Sequence, residues 1–140
     1  MSPPPAPTTG HCLCNLVTYR ISGSLAPNLA CFCTNCQHSS GSAFSWLHGF
    51  MRAGVALEIT SGQNVIKKYE DRDTESGGLV ERWFCSCCRS PIIADTEKFT
   101  FVHGGTIDGE KVAPEFEFFE HDAPDFAPRF KSLAQYFESE

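Results

Sequence analysis

Cys31-Phe32-Cys33-Thr34-Asn35-Cys36 sets three thiols within six residues, and Gln37-His38-Ser39-Ser40-Gly41 follows directly. Three sulfurs this close can hold one face of a zinc ion and leave its fourth position open, as a catalytic zinc requires. The other five of the eight cysteines fall into two groups, Cys12 with Cys14 and Cys85 with Cys87 and Cys88. A closed tetrahedral site takes four ligands, and a pair from each of two distant segments pins those segments together. Cys12, Cys14, Cys85 and Cys88 could form such a site, leaving Cys31, Cys33 and Cys36 to a second, open zinc. A zinc-ribbon pairing of Cys33-x-x-Cys36 with Cys85-x-x-Cys88 is equally open to the spacing; it leaves Cys12, Cys14 and Cys31 over and gives one structural metal. Cys87 stands one residue from a ligand in either arrangement.

Composition narrows what such a site serves. The 140 residues, 41% of them hydrophobic, suffice for one core, so a single domain is expected. A formal charge of −6 argues against nucleic acid, whose affinity rests on clustered Lys and Arg. Seven ligating thiolates on two divalent ions would take the charge to about −9. No apolar run reaches the roughly 18 residues that cross a membrane. Met1-Ser2-Pro3-Pro4-Pro5-Ala6-Pro7 has neither the basic nor the apolar region of a secretory signal, so a cytoplasmic protein is expected. In that reducing compartment the cysteines read as metal ligands rather than disulfides.

The elements that must position the thiols are mostly strands. Twelve Phe and nine Pro against two Met point to a strand-rich core with many turns. Residues 1–9 read as a Pro-rich flexible leader, with order beginning near Gly10 and one domain over 10–140. Val17, Tyr19 and Ile21 alternate with Thr18 and Arg20, the pattern of a half-buried strand. The trio falls at a short helical turn capped by Thr34. Val55, Leu57 and Ile59 alternate likewise, and Gly62-Gln63-Asn64 leads to 65–69, a hairpin signal. Glu70 to Gly78 reads as a charged mobile loop. Further strands are expected over 79–84, 91–94 and 99–103, and around Phe116, Phe118 and Phe119. Phe130, Leu133, Ala134 and Phe137 form the stripe of a final short helix.

Beside the thiols, His38 could carry a proton near a bound sulfur, or be an exposed loop histidine. His48 and His103 are weaker candidates that read first as packing or surface residues. Asn35, Ser39 and Ser40 offer hydrogen bonds to a peptide-like ligand, and Gly41 allows close backbone approach, although all four are ordinary turn residues. Phe44 and Trp46 could wall a pocket or fill the core. Asp108 is expected to close a turn with Gly109.

Gly10-His11-Cys12-Leu13-Cys14, Cys31-x-Cys33-x-x-Cys36 with Ser40-Gly41, Phe84-Cys85-x-x-Cys88 and Gly105-Thr106-Ile107-Asp108 together resemble the glutathione-dependent formaldehyde-activating enzyme family. The likeness runs from about Gly10 to near Asp125. It implies an Mss4-like, mainly β, zinc-bound fold with short helices and two zinc ions per chain. The structural zinc would lie at Cys12, Cys14, Cys85 and Cys88, and the functional one at Cys31, Cys33 and Cys36. The implied activity is carbon–sulfur lyase or synthase chemistry on S-hydroxymethylglutathione, with a small-molecule thiol as partner and neither nucleic acid nor membrane. A non-catalytic glutathione or thiol carrier, or a lyase for another electrophile, is the alternative. Arg89 stands where a Gly is usual in the family, and Cys87 is an addition.

Overall fold

The computed structural model describes residues 6–132. Its strands are β1 (Thr8–His11), β2 (Thr18–Ser22), β3 (Leu29–Cys31), β4 (Ser45–Met51), β5 (Ala56–Ser61), β6 (Ile66–Asp71), β7 (Val80–Cys85), β8 (Pro91–Asp95), β9 (Phe99–His103), β10 (Phe116–Phe118) and β11 (Lys131–Ser132). One α-helix, α1 (Thr34–Ser40), is found among the described residues, with short 3-10 turns at Gly104–Thr106 and Glu120–Asp122. The architecture is mainly β. A three-stranded sheet runs β1-β2-β5, and an eight-stranded sheet runs β11-β10-β3-β4-β9-β8-β7-β6. Among the described residues only β10 pairs in parallel, with β3 on one side and β11 on the other.

The core follows from which strands are covered on both faces. In β2, Tyr19 and Ile21 are buried while Arg20 faces solvent, the alternation expected of a half-buried strand. In β8, Ile92, Ile93 and Ala94 are all buried, the continuous run of a strand covered on both sides. Ile93 and Val102 join Val17, Tyr19, Ile21 and Phe50 in a cluster that links the two sheets. Ala94 and Phe101, one residue along on β8 and β9, join Leu29, Leu47 and the thiols of Cys31, Cys33 and Cys36 instead. The large sheet thus carries a core on one face and the thiol trio on the other. Burial of Ile21, Ile92 and Val102 contributes about 1.5–3 kcal/mol apiece to holding this arrangement.

Several expectations are corrected. Thr8 and Thr9, expected in the leader, belong to β1 and pair with Ile21 and Arg20. The hairpin over 55–69 does not form: β5 pairs with β2, and β6 with β7 in the other sheet. Gly62 makes that crossing, with φ +82 and a backbone so close to Leu16 that a Cβ would lie 2.5 Å from the Leu16 carbonyl oxygen. Glu70 and Asp71 belong to β6 rather than to a loop. Helix α1 is capped by Cys33, not Thr34, since the Cys33 sulfur reaches the Cys36 amide. Trp46 lies over Gly104, where a Cβ would come within 2.3 Å of the indole, and Phe44 packs on Phe32 and Phe130. Asp108 does lie in a bend with Gly109, at φ 74, and its carboxylate also reaches β1, accepting from Thr9 Oγ1 at 3.0 Å and lying 2.6 Å from His11 Nδ1. Of the expected final helix, Phe130 precedes the short strand β11, and Leu133, Ala134 and Phe137 lie outside the described residues.

Candidate metal centres

The closed set is assembled from two loops. Cys12 and Cys14 flank the turn between β1 and β2; Cys85 ends β7 and Cys88 precedes β8. Their four sulfurs all lie within 4.8 Å of one another, with Cys12 to Cys14 at 3.6 Å and Cys14 to Cys85 at 3.7 Å. A tetrahedral zinc with Zn–S bonds of about 2.3 Å holds its sulfurs about 3.8 Å apart, whereas a disulfide needs about 2.05 Å. The donor set therefore fits zinc and excludes a disulfide. Backbone amides already serve the sulfurs as they would serve thiolates: Val17 donates to Cys12 Sγ at 3.3 Å and Cys88 to Cys85 Sγ at 3.4 Å. The Leu13 amide donates to Ser90 Oγ at 3.0 Å and ties the two loops together. Partial burial pushes the Cys88 thiol up, but hydrogen bonds from Ser90 and the backbone outweigh it and bring the thiol down to about 5. Arg89 turns the chain at φ 70, and its amide donates to the Cys85 carbonyl at 2.8 Å.

The open set comes from one short segment. Cys31 ends β3, Cys33 caps α1 and Cys36 lies in its first turn, so strand end and helix start converge on one point. Cys31 and Cys33 sulfurs are 3.6 Å apart, all three lie within 4.8 Å of one another, and all three residues are buried. The Cys36 amide donates to Cys33 Sγ at 3.2 Å. Thiol hydrogen bonds from Cys31 and Cys33, helped by the nearby Arg82 guanidinium, hold Cys36 far below the ordinary cysteine range. The same hydrogen bonding, together with burial, raises Cys31. A divalent ion bound by the trio would displace the protons that its thiols carry.

Arg82 and Asp71 complete the wall behind Cys36, and neither is among the candidates read from the sequence. Arg82 Nε donates to Asp71 Oδ2 at 2.9 Å, with both side chains nearly buried, while its Nη1 lies 4.0 Å from Cys36 Sγ. The one available signal is the placement of Arg82 directly before the aromatic pair Trp83-Phe84 in the run Val80-Glu81-Arg82-Trp83-Phe84. Asn35 braces the pair, its Nδ2 donating to both Asp71 oxygens at 3.0 Å and to the Asp73 carbonyl at 2.8 Å.

The trio opens on a cavity of about 660 Å³ whose walls are largely apolar, among them Leu47, Phe99, Phe101, Phe118 and Phe119. Its rim carries both signs, Arg52 and Lys98 beside Glu75 and Glu97. The remaining sequence candidates lie elsewhere. His38 is exposed, its Nδ1 2.8 Å from the Thr34 carbonyl oxygen, and with Asn35, Ser39 and His103 it lines a second cavity of about 460 Å³. Burial brings His103 down to about 4. Ser40 Oγ donates to the Cys36 carbonyl at 2.8 Å, and Gly41 ends α1 in the left-handed region. His48 is buried with Nδ1 2.6 Å from Asn28 Oδ1, and burial lowers its pKa. Cys87 is exposed and belongs to neither thiol set.

No curated protein matches the chain. A family profile does, described as glutathione-dependent formaldehyde-activating enzyme and matching residues 7–122. That span contains both thiol sets, the Arg82–Asp71 pair and the walls of the larger cavity, and on it the chain belongs to the glutathione-dependent formaldehyde-activating enzyme family.

Proposed function

We propose that this protein is a zinc-dependent carbon–sulfur lyase or synthase acting on a glutathione adduct of the S-hydroxymethylglutathione kind. The unequal division of the thiols carries this reading: four sulfurs close a set of their own, while three sit on the wall of a cavity large enough for a ligand. Cys12, Cys14, Cys85 and Cys88 would hold a structural zinc, and Cys31, Cys33 and Cys36 a functional one. Zinc bound by the trio supplies an open coordination position that favours a thiol as its thiolate near neutral pH.

The chain supplies the surroundings. Cys33, fixed as the helix cap, and Cys31, fixed by strand pairing, keep the three ligands in place. Arg82 beside Cys36 offsets part of the negative charge that several thiolates gather. Leu47 and Phe101 keep water from that side of the sulfurs. On the rim, Arg52 and Lys98 suit the carboxylates of glutathione, and Glu75 and Glu97 its ammonium group. In the synthase direction one C–S bond forms between sulfur and carbonyl carbon, the carbonyl π pair moves to oxygen, and the thiol proton ends there. The lyase direction reverses each of these changes.

Elemental analysis should find two zinc ions per chain. Cys36→Ser should lose one of them, together with glutathione binding by calorimetry and adduct turnover by exchange NMR. Unchanged zinc content in that variant would sink the two-site reading.

A further inference from the structure

Phe118 and Phe119 are consecutive, yet both line the cavity that holds the thiol trio. Successive residues of a strand point to opposite faces, and β10 breaks that rule at its end. Phe119 adopts φ 57, ψ 46, in the left-handed region where a bulky side chain is an outlier. The kink folds its ring onto that of Phe118, centroids 4.1 Å apart, and packs it against the cluster containing Cys31, Cys33, Cys36 and Phe101. Phe99 and Phe101 add a second aromatic pair, 5.6 Å between centroids. Strained backbone of this kind persists where the position of a side chain matters to a ligand. A hydroxymethyl group gives such a wall nothing to recognise, since it is small and polar, whereas cavities of this size and lining bury an apolar body.

We propose that the site prefers adducts whose sulfur-bound carbon carries an aryl or bulky alkyl group, with Phe118 and Phe119 as the surface that recognises it. This rests on the thiol-adduct reading above and names its substrate class: thiohemiacetals of apolar aldehydes, the tripeptide remaining at the charged rim.

Two measurements test it. Calorimetric titration of zinc-loaded protein should show benzyl mercaptan binding about tenfold more tightly than 2-mercaptoethanol, the difference a buried ring supplies. Phe119→Gly removes the ring and puts glycine where positive φ favours it, so the backbone is kept while the preference falls to within about twofold. Leu79→Ser, at an exposed apolar residue that also lines the cavity, should reduce the preference in the same direction. Equal affinities in the wild-type protein, or an undiminished ratio in both variants, overturn the inference. In exchange NMR with glutathione, phenylacetaldehyde should be accelerated over its uncatalysed rate more than formaldehyde. Turnover that favours formaldehyde overturns the apolar preference and leaves the lyase reading standing. Absence of turnover with every aldehyde, alongside the thiol preference, removes the lyase reading and supports apolar recognition.

Discussion

At the scale of single residues, the Asp71–Arg82 pair shows how much of this site rests on buried charge. Both groups are nearly shut from water, so breaking the pair strands the partner, which costs about 3–5 kcal/mol. Arg82→Met should therefore destabilise the zinc-loaded protein by about 3 kcal/mol in urea unfolding. Adding Asp71→Asn should restore much of that loss, because the stranded carboxylate is then gone. If the two changes simply add, the pair is not coupled. The cysteines of the site were legible in the sequence because ligands close along the chain are held together by covalent geometry. Asp71 was not: among Glu70, Arg72 and Asp73 it looks like part of a solvated run, and only pairing of β6 with β7 brings it to Arg82. The left-handed turn at Phe119 was equally hidden, since no glycine or asparagine marks it.

At the scale of elements, the strands that alternate cleanly were readable, whereas their partners were not. β2 and the strands from β7 to β9 fall where hydrophobic pattern puts them. β5 and β6, separated by a short glycine-containing turn, carry a hairpin signal yet enter different sheets, because pairing is decided by which faces need covering. The segment after β6 is tied to the turn at Glu120–Asp122 by Glu75, whose Oε1 lies 2.7 Å from His121 Nε2. That hydrogen bond raises the His121 pKa above its ordinary value of about 6.5. The sign follows: with the folded pKa raised, the tie is fully present below the ordinary value and is lost as pH rises through the raised one. Amides of residues 74–78 should accordingly open more readily at about pH 8 than at about pH 6, after correction for intrinsic exchange, and Glu75→Gln should flatten the difference. A difference that survives Glu75→Gln would assign the effect to another group.

At the scale of the whole molecule, the closed thiol set joins the beginning of the chain to the end of β7, and the open set joins nothing so distant. Metal-binding free energy at the first would be folding free energy. Cys88→Ser should lower the thermal midpoint by about 10 °C or more. Cys36→Ser should lower it far less, since β3 and α1 stay anchored through β4 and the surrounding apolar cluster. Similar losses in both variants would show the open set to be structural as well. Exposed Cys87, in neither set, sits between Cys85 and Cys88 on the turn of the closed set. A fluorophore or spin label coupled there would stand next to the closed thiol set while using none of its four sulfurs. By the same chemistry, oxidation in air can join two molecules through Cys87 without using a sulfur of either set.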